Sequence, residues 1–192
     1  MTGPVSDDGF SVVFSSYSAD VLRFARRRLG SGDDAAWDVV SDTFTSAWRN
    51  WSRRPADEAL LPWLYAIAAN AIRDRHRAAG RQRRLVGRLS MLQPDVPVPD
   101  LAAGVLDREA LAAAFARLSP ADREVLMLVA WEGLTDARAI GLVLGLRPGT
   151  VRGRVHRARR RLRELLAVAD DPPAGAAELT STSQPSHRVS EA

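Results

Sequence analysis

The stretch LTDARAIGLVLGLRPGTVRGRVHRARRRLRELL, from Leu134 to Leu166, reads as two short helices joined by a tight turn. Val151, Val155, Ala158, Leu162, Leu165 and Leu166 recur at steps of three and four, which is one apolar stripe on a single helix. At about 100° per residue, Gly153, His156, Arg157 and Arg160 fall opposite that stripe. Arg152, Arg154, Arg159, Arg161 and Arg163 flank it on both sides. From Arg147 to Arg163 there are eight arginines and no acid. A solvated helix face ordinarily mixes signs, because Glu placed four residues before Lys or Arg supports the helix. Like charges crowded without acids repel one another unless a polyanion neutralises them, so nucleic acid is the expected partner. A rod about 10–12 Å across is of a size that the major groove of DNA admits. Gly145 supplies the left-handed residue that ends the first helix, and Pro148 suits the first turn of the second. The pattern is a helix-turn-helix with the second helix as reader.

The composition narrows the partners further. The chain has 192 residues, room for one large or two small domains, and a net charge of only +4. All 27 basic residues are arginine, which favours fork-like phosphate and guanine contacts over point-charge attraction. There is no cysteine, hence no disulfide framework, thiolate metal site or direct thiol switch. No apolar run of about 18 residues and no leader with a cleavage site is evident, so no membrane insertion is expected and the protein is read as cytoplasmic. No phosphate loop, metal-spaced histidine cluster or GxSxG occurs, and His76, His156 and His187 lie far apart. An enzyme is therefore not expected, and no cofactor is implied.

Glycine and proline divide the chain into two helical blocks, at 10–88 and 105–168, with a linker at 89–104 and a tail at 169–192. Within SMLQPDVPVPDLAAG, from Ser90 to Gly104, three prolines in six residues forbid a helix and favour an extended path. The tail is too poor in large apolar residues to order itself. No strand alternation appears, and both blocks read as all-α.

In the first block, Val13, Phe14, Tyr17, Val21, Phe24 and Leu29 keep helical spacing. A second helix is expected to begin at Asp33 and run to about Trp51, burying Ala36, Val39, Val40, Thr43, Phe44, Ala47 and Trp48. Pro62 is expected to open a third, whose stripe is Trp63, Leu64, Ile67, Ala68, Ala71 and Ile72 and whose far end is basic. In the second block, Leu111, Phe115 and Leu118 mark a helix that stops before Ser119 and Pro120. Those two residues cap and start the next helix, with core residues Val125, Leu126, Leu128 and Val129. Thr135 is expected to cap the first helix of the helix-turn-helix.

Two DNA-competent helical blocks joined by a proline-containing linker resemble bacterial RNA polymerase sigma factors of the extracytoplasmic-function (ECF) group. DDAAWDVVSDTFTSAW is similar to the family's region-two helix that binds the clamp of the polymerase largest subunit. PWLYAIAANAIRDRHR is similar to the helix that holds the minus-ten promoter element. LSPADREVLMLVAWEGLT and GLRPGTVRGRVHRARRRL resemble region four, which reads the minus-thirty-five element. The resemblance implies an all-α fold of two small domains, region two and region four, and a subunit that directs core polymerase to promoters.

Residue by residue, it places Asp38, Val39, Ser41 and Asp42 against the polymerase, with Phe44 in the core. Asn70, Arg73 and Arg77 fall at the minus-ten element. Arg147, Thr150, Arg152, Arg154, His156, Arg157 and Arg160 fall at the minus-thirty-five element, with Arg152 on a guanine edge. The segment from Ser52 to Leu60 corresponds to the loop that captures a flipped base of the opened strand. The linker is implied to thread toward the polymerase active centre, an anti-sigma protein is an implied partner, and the free chain is expected to be a monomer.

Four departures stand out. Arg147 stands where a serine usually caps the reader helix, so that cap is missing or is replaced by Thr150, and Gly153 replaces a small hydroxyl residue, deleting one possible contact. Ser41 replaces a glutamine. Gly141 and Leu142 stand where alanine and an acid are typical, with one extra residue before the turn, so that first helix is expected to be shifted or irregular. The rival within DNA binding is a one-component helix-turn-helix regulator whose first block senses a ligand. An arginine-rich RNA-binding protein is a third reading.

Overall fold

The computed structural model describes residues 7–30, 33–86 and 108–170, with side chains at 9–30, 33–81 and 109–167. The linker at 89–104 and the tail beyond 170 lie outside them, as do Arg88 and the side chains of Arg83 and Arg84. In the first block, α1 spans Asp7–Leu29, α2 spans Asp33–Arg49 and α3 spans Leu60–Val86, with short 3-10 turns at Trp51–Arg53 and Asp57–Ala59. In the second, α4 is Arg108–Ala116, α5 Pro120–Ala130, α6 Ala137–Leu144 and α7 Pro148–Asp170. No strand occurs among the described residues.

Periodicity explains the first block well. Ala36, Val39, Val40, Thr43, Phe44 and Ala47 are all buried on α2, and they meet Val21, Phe24 and Ala25 of α1 and Leu64, Tyr65, Ala68 and Ile72 of α3. Thr43 resolves its buried hydroxyl by donating to the Val39 carbonyl at 2.6 Å. Two expected stripe residues behave differently. Phe14 and Trp48 are 41% and 39% exposed. They close the rim of the α1–α2 contact edge-on, Phe14 at 4.8 Å from Phe44 and Trp48 at 4.9 Å from Phe10, instead of inserting into it. α2 ends at Arg49, and Trp51 is buried in the turn that follows. α3 begins at Leu60, two residues before Pro62, because any position in a helix's first turn tolerates the missing N–H.

In the second block, Ser119 accepts from Asp122 N at 3.1 Å and Pro120 is the first residue of α5, as expected. Its core face includes Met127, while Val129 is only half-buried. The cap of α6 is a correction: Asp136, not Thr135, accepts from Arg138 N and Ala139 N at 3.2 and 3.3 Å. A carboxylate at this position satisfies two orphan donors and faces the positive end of the dipole. α7 runs to Asp170, two residues past the expected end of its block. The blocks also pack against each other, α3 on α6 and α1 on the end of α5.

Candidate nucleic-acid interface

The turn that aims α7 depends on two glycines. Gly145 closes α6 in the left-handed region at φ 66° and ψ 35°. Gly141 is demanded by a close approach: a Cβ there would lie 2.5 Å from the carbonyl oxygen of Leu146. Leu146 N donates to the Gly141 carbonyl at 2.9 Å in the same turn. α7 begins at Pro148, so Arg147 holds the capping position and its carbonyl accepts from Val151 N at 3.1 Å. Thr150 sits inside the first turn and therefore does not replace the missing serine cap.

α7 buries Val151, Ala158 and Leu165, with Val155, Leu162 and Leu166 partly covered. Arg147, Thr150, Arg152, His156, Arg157 and Arg160 are exposed, and Arg154 is half-buried. The cations differ in how they are engaged. Arg160 and Arg161 reach Glu164 at 3.4 and 3.3 Å, just beyond the acid-free run. The guanidinium of Arg157 folds across Gly153, with Nη1 3.2 Å from where a Cβ would stand. The glycine that deletes a hydroxyl contact thus makes room for the neighbouring cation. Arg152 and His156 border a groove floored by Ile140, Val151 and Val155.

On α3, Asn70, Arg73 and Arg77 are exposed. They form one row at steps of three and four. Arg73 donates to the Asn70 side-chain oxygen, and Arg77 pairs with Asp74. Trp63 is half-buried scaffold, while Tyr65 beside it is buried and stacked on Phe24 at 4.6 Å. In the loop ahead of α3, Trp51 is buried against Phe10, and the guanidinium of Arg54 lies 4.7 Å from the Trp51 ring centroid.

On α2, Asp38, Ser41 and Asp42 are exposed. Val39 is a correction, since it is fully buried and supports that face from beneath. Arg75 of α3, which the sequence reading did not single out, clasps both acids: Nη2 lies 2.7 Å from Asp42 Oδ2 and Nη1 3.2 Å from Asp38 Oδ2. The hydrogen bond that Arg75 donates to the Asp42 carboxylate pushes the pKa of Arg75 up. Trp37 was also missed. It is 50% exposed next to Asp38, with Ser41 one turn on. Its position off the apolar stripe of α2 was the available signal. Arg75 had none, because its partners lie more than thirty residues away in sequence.

Comparison with known proteins assigns both blocks. The Sigma-70 region 2 family matches residues 13–82, and the Sigma-70 region 4 family matches residues 108–162. The sigma factor CarQ of Myxococcus xanthus is 34% identical over 84% of this chain and 91% of its own length. The chain is an ECF sigma factor of the sigma-70 family.

The ECF sigma factor SigL of Mycobacterium tuberculosis is likewise 34% identical, over 79% of this chain and 85% of its own. Among solved structures, the sigma factor RpoE of Bartonella quintana, in complex with the anti-sigma factor NepR, has 28% identity and a TM-score of 0.62. It covers 83% of this chain and 98% of that one. Region two occupies α1 to α3, where a one-component regulator would need its sensor. As a sigma factor, the protein directs core RNA polymerase to promoters. Among the described residues, no helix is long and apolar enough to cross a membrane, and no group of His, Asp or Glu is placed to hold a metal.

Proposed function

We propose that this sigma factor works through three faces. The exposed α2 face of Asp38, Ser41 and Asp42, extended by Trp37, docks on the clamp of the polymerase largest subunit. The α3 row of Asn70, Arg73 and Arg77, with the loop before it, holds the melted minus-ten strand by cationic and stacking contacts. α7 anchors upstream duplex through Arg147, Thr150, Arg152, Arg154, His156, Arg157 and Arg160, with Arg152 on a base edge and Arg160 on phosphate. Residues 10–88 and 105–168 are the working units, joined by the segment at 89–104.

The observation that carries this reading is the division of α7 into a buried stripe and an exposed cationic face, set behind a second cationic helix in the other block. The protein acts in the cytoplasm, as a monomer when free, by binding rather than covalent chemistry. The RpoE structure contains an anti-sigma factor, and an anti-sigma protein is the proposed regulator here as well. The test is run-off transcription with purified core polymerase and a promoter library. Initiation from a defined subset supports the assignment; no initiation from any promoter refutes it.

A further inference from the structure

Among the described residues, no hydrogen bond or ion pair engages the Arg54 guanidinium. It lies instead over the Trp51 ring, 4.7 Å from the centroid. The indole beneath it is firmly held. Trp51 meets Phe10 edge-on at 5.1 Å and 83°, and only 6% of it is exposed. Phe10 in turn meets Trp48 and Phe44 edge-on at 4.9 and 6.1 Å, so the indole belongs to an aromatic cluster whose members restrain one another. The backbone brings the cation onto this ring. A 3-10 turn at Trp51–Arg53 closes with Arg54 N donating to the Trp51 carbonyl at 3.2 Å. Pro55 disfavours the helical region for the residue before it, and Arg54 adopts φ −59° and ψ 144°.

Arg54 itself is exposed. With the indole on one side, the guanidinium keeps its other side for a ligand. A planar cation takes a nucleobase face-on, which the ammonium of lysine does not. Every base has such a face, so the contact adds affinity without reading sequence. Asp57 and Glu58, both exposed, follow in the next turn. Two carboxylates within four residues of the cation disfavour a phosphate there and place no charge penalty on a base. Asn70, where the α3 row starts, lies ten residues beyond Leu60, about 15 Å along the helix. A strand on that row reaches the loop in about four nucleotides at 3.4 Å per step.

We infer that Arg54 is a stacking platform for one base of the melted strand, and that Trp51 is the positioning residue that holds it in place. The inference rests on the assignment of the loop and α3 to the minus-ten strand. Indole, guanidinium and base then form three layers, of which the buried indole never meets DNA. A pocket for a flipped base reads the edge of that base. This platform supports whichever base lies against it.

The test uses holoenzyme and the non-template strand of a promoter from which it initiates, with each base in turn replaced by an abasic residue. Arg54→Ala is expected to weaken strand binding about tenfold, within the range for one stacked base. The wild type is expected to lose the same factor at one abasic position, and Arg54→Ala to lose nothing more there. At that position, exchange for another base costs less than removal. Arg54→Lys keeps the charge without the plane and is expected to behave as Arg54→Ala. Trp51→Leu is expected to reproduce the loss, whereas Trp51→Phe keeps a ring beneath the cation and retains affinity. Should Trp51→Leu lose helix by circular dichroism, the abasic scans of the two Arg54 variants still decide. Losses that add at every abasic position make Arg54 a phosphate contact and overturn the platform, as does wild-type affinity in Arg54→Lys. Wild-type affinity in a folded Trp51→Leu overturns the positioning role. Arg73→Ala with Arg77→Ala separates the two assignments. If that pair weakens binding and Arg54→Ala does not, the platform falls and the α3 assignment stands; the opposite result removes the α3 row and keeps the platform.

Discussion

Arg152 and Gly141 do opposite kinds of work in the reader. Arg152 stands exposed beside His156 and is free to meet a base edge. Arg152→Ala is expected to weaken upstream-element binding by about 1–3 kcal/mol and to relax specificity at one position. Binding measured across single-base promoter variants checks this, since an equal loss on every sequence would make Arg152 a phosphate contact. Gly141 touches no DNA in this reading, yet the Leu146 carbonyl leaves no room there for a methyl group. Gly141→Ala is expected to cost about 1–3 kcal/mol of stability through overpacking against backbone. Thermal unfolding reads it, and a wild-type midpoint would show that the turn shifts freely. The sequence shows Gly141 only as a departure from alanine; the reason lies in a carbonyl that no side-chain pattern encodes. Gly145 was legible, because a left-handed helix end requires glycine whatever surrounds it.

At the scale of the helix, the elements read well and their ends less so. The stripes of α2 and α7 follow directly from spacing, because burying one face is what stabilises each helix. Which of two adjacent polar residues caps α6 was not decided by pattern: Thr135 and Asp136 both qualify by type, and only the exact start of the helix selects Asp136. Burial at the rim was equally hidden, since Trp48 fits the stripe and still leans outward. Arg75 changes how the α2 face is understood. Its clasp on Asp38 and Asp42 fixes the direction of two exposed carboxylates on the proposed docking face. Asp38→Arg with Asp42→Arg is expected to weaken core-polymerase binding at least tenfold, about 1.4 kcal/mol, with helix content unchanged. Titration of labelled core against the variant tests it, and wild-type affinity would remove the clamp assignment.

For the whole molecule, the arrangement of the blocks was the least legible feature. The ion pairs between them join residues about a hundred positions apart, where no periodicity links Arg28 to Glu124 or Glu132. Their consequence is cooperativity. Calorimetry is expected to show one transition for the wild-type chain. Glu132→Ala strands Arg27 and leaves Arg28 on Glu124 alone, costs the contact about 3–5 kcal/mol, and should split the transition in two. A single unshifted transition would mean that the blocks are held by α3 and α6 alone. The placement of the aromatic residues makes that joint visible by its own light. Of the five tryptophans, Trp37, Trp48, Trp51 and Trp63 lie in the first block and Trp131 alone in the second, against Arg27 and Phe115. With the other four indoles replaced by phenylalanine, emission from Trp131 would report wetting of the joint. Restoring Trp37 alone would make docking on polymerase observable without any dye.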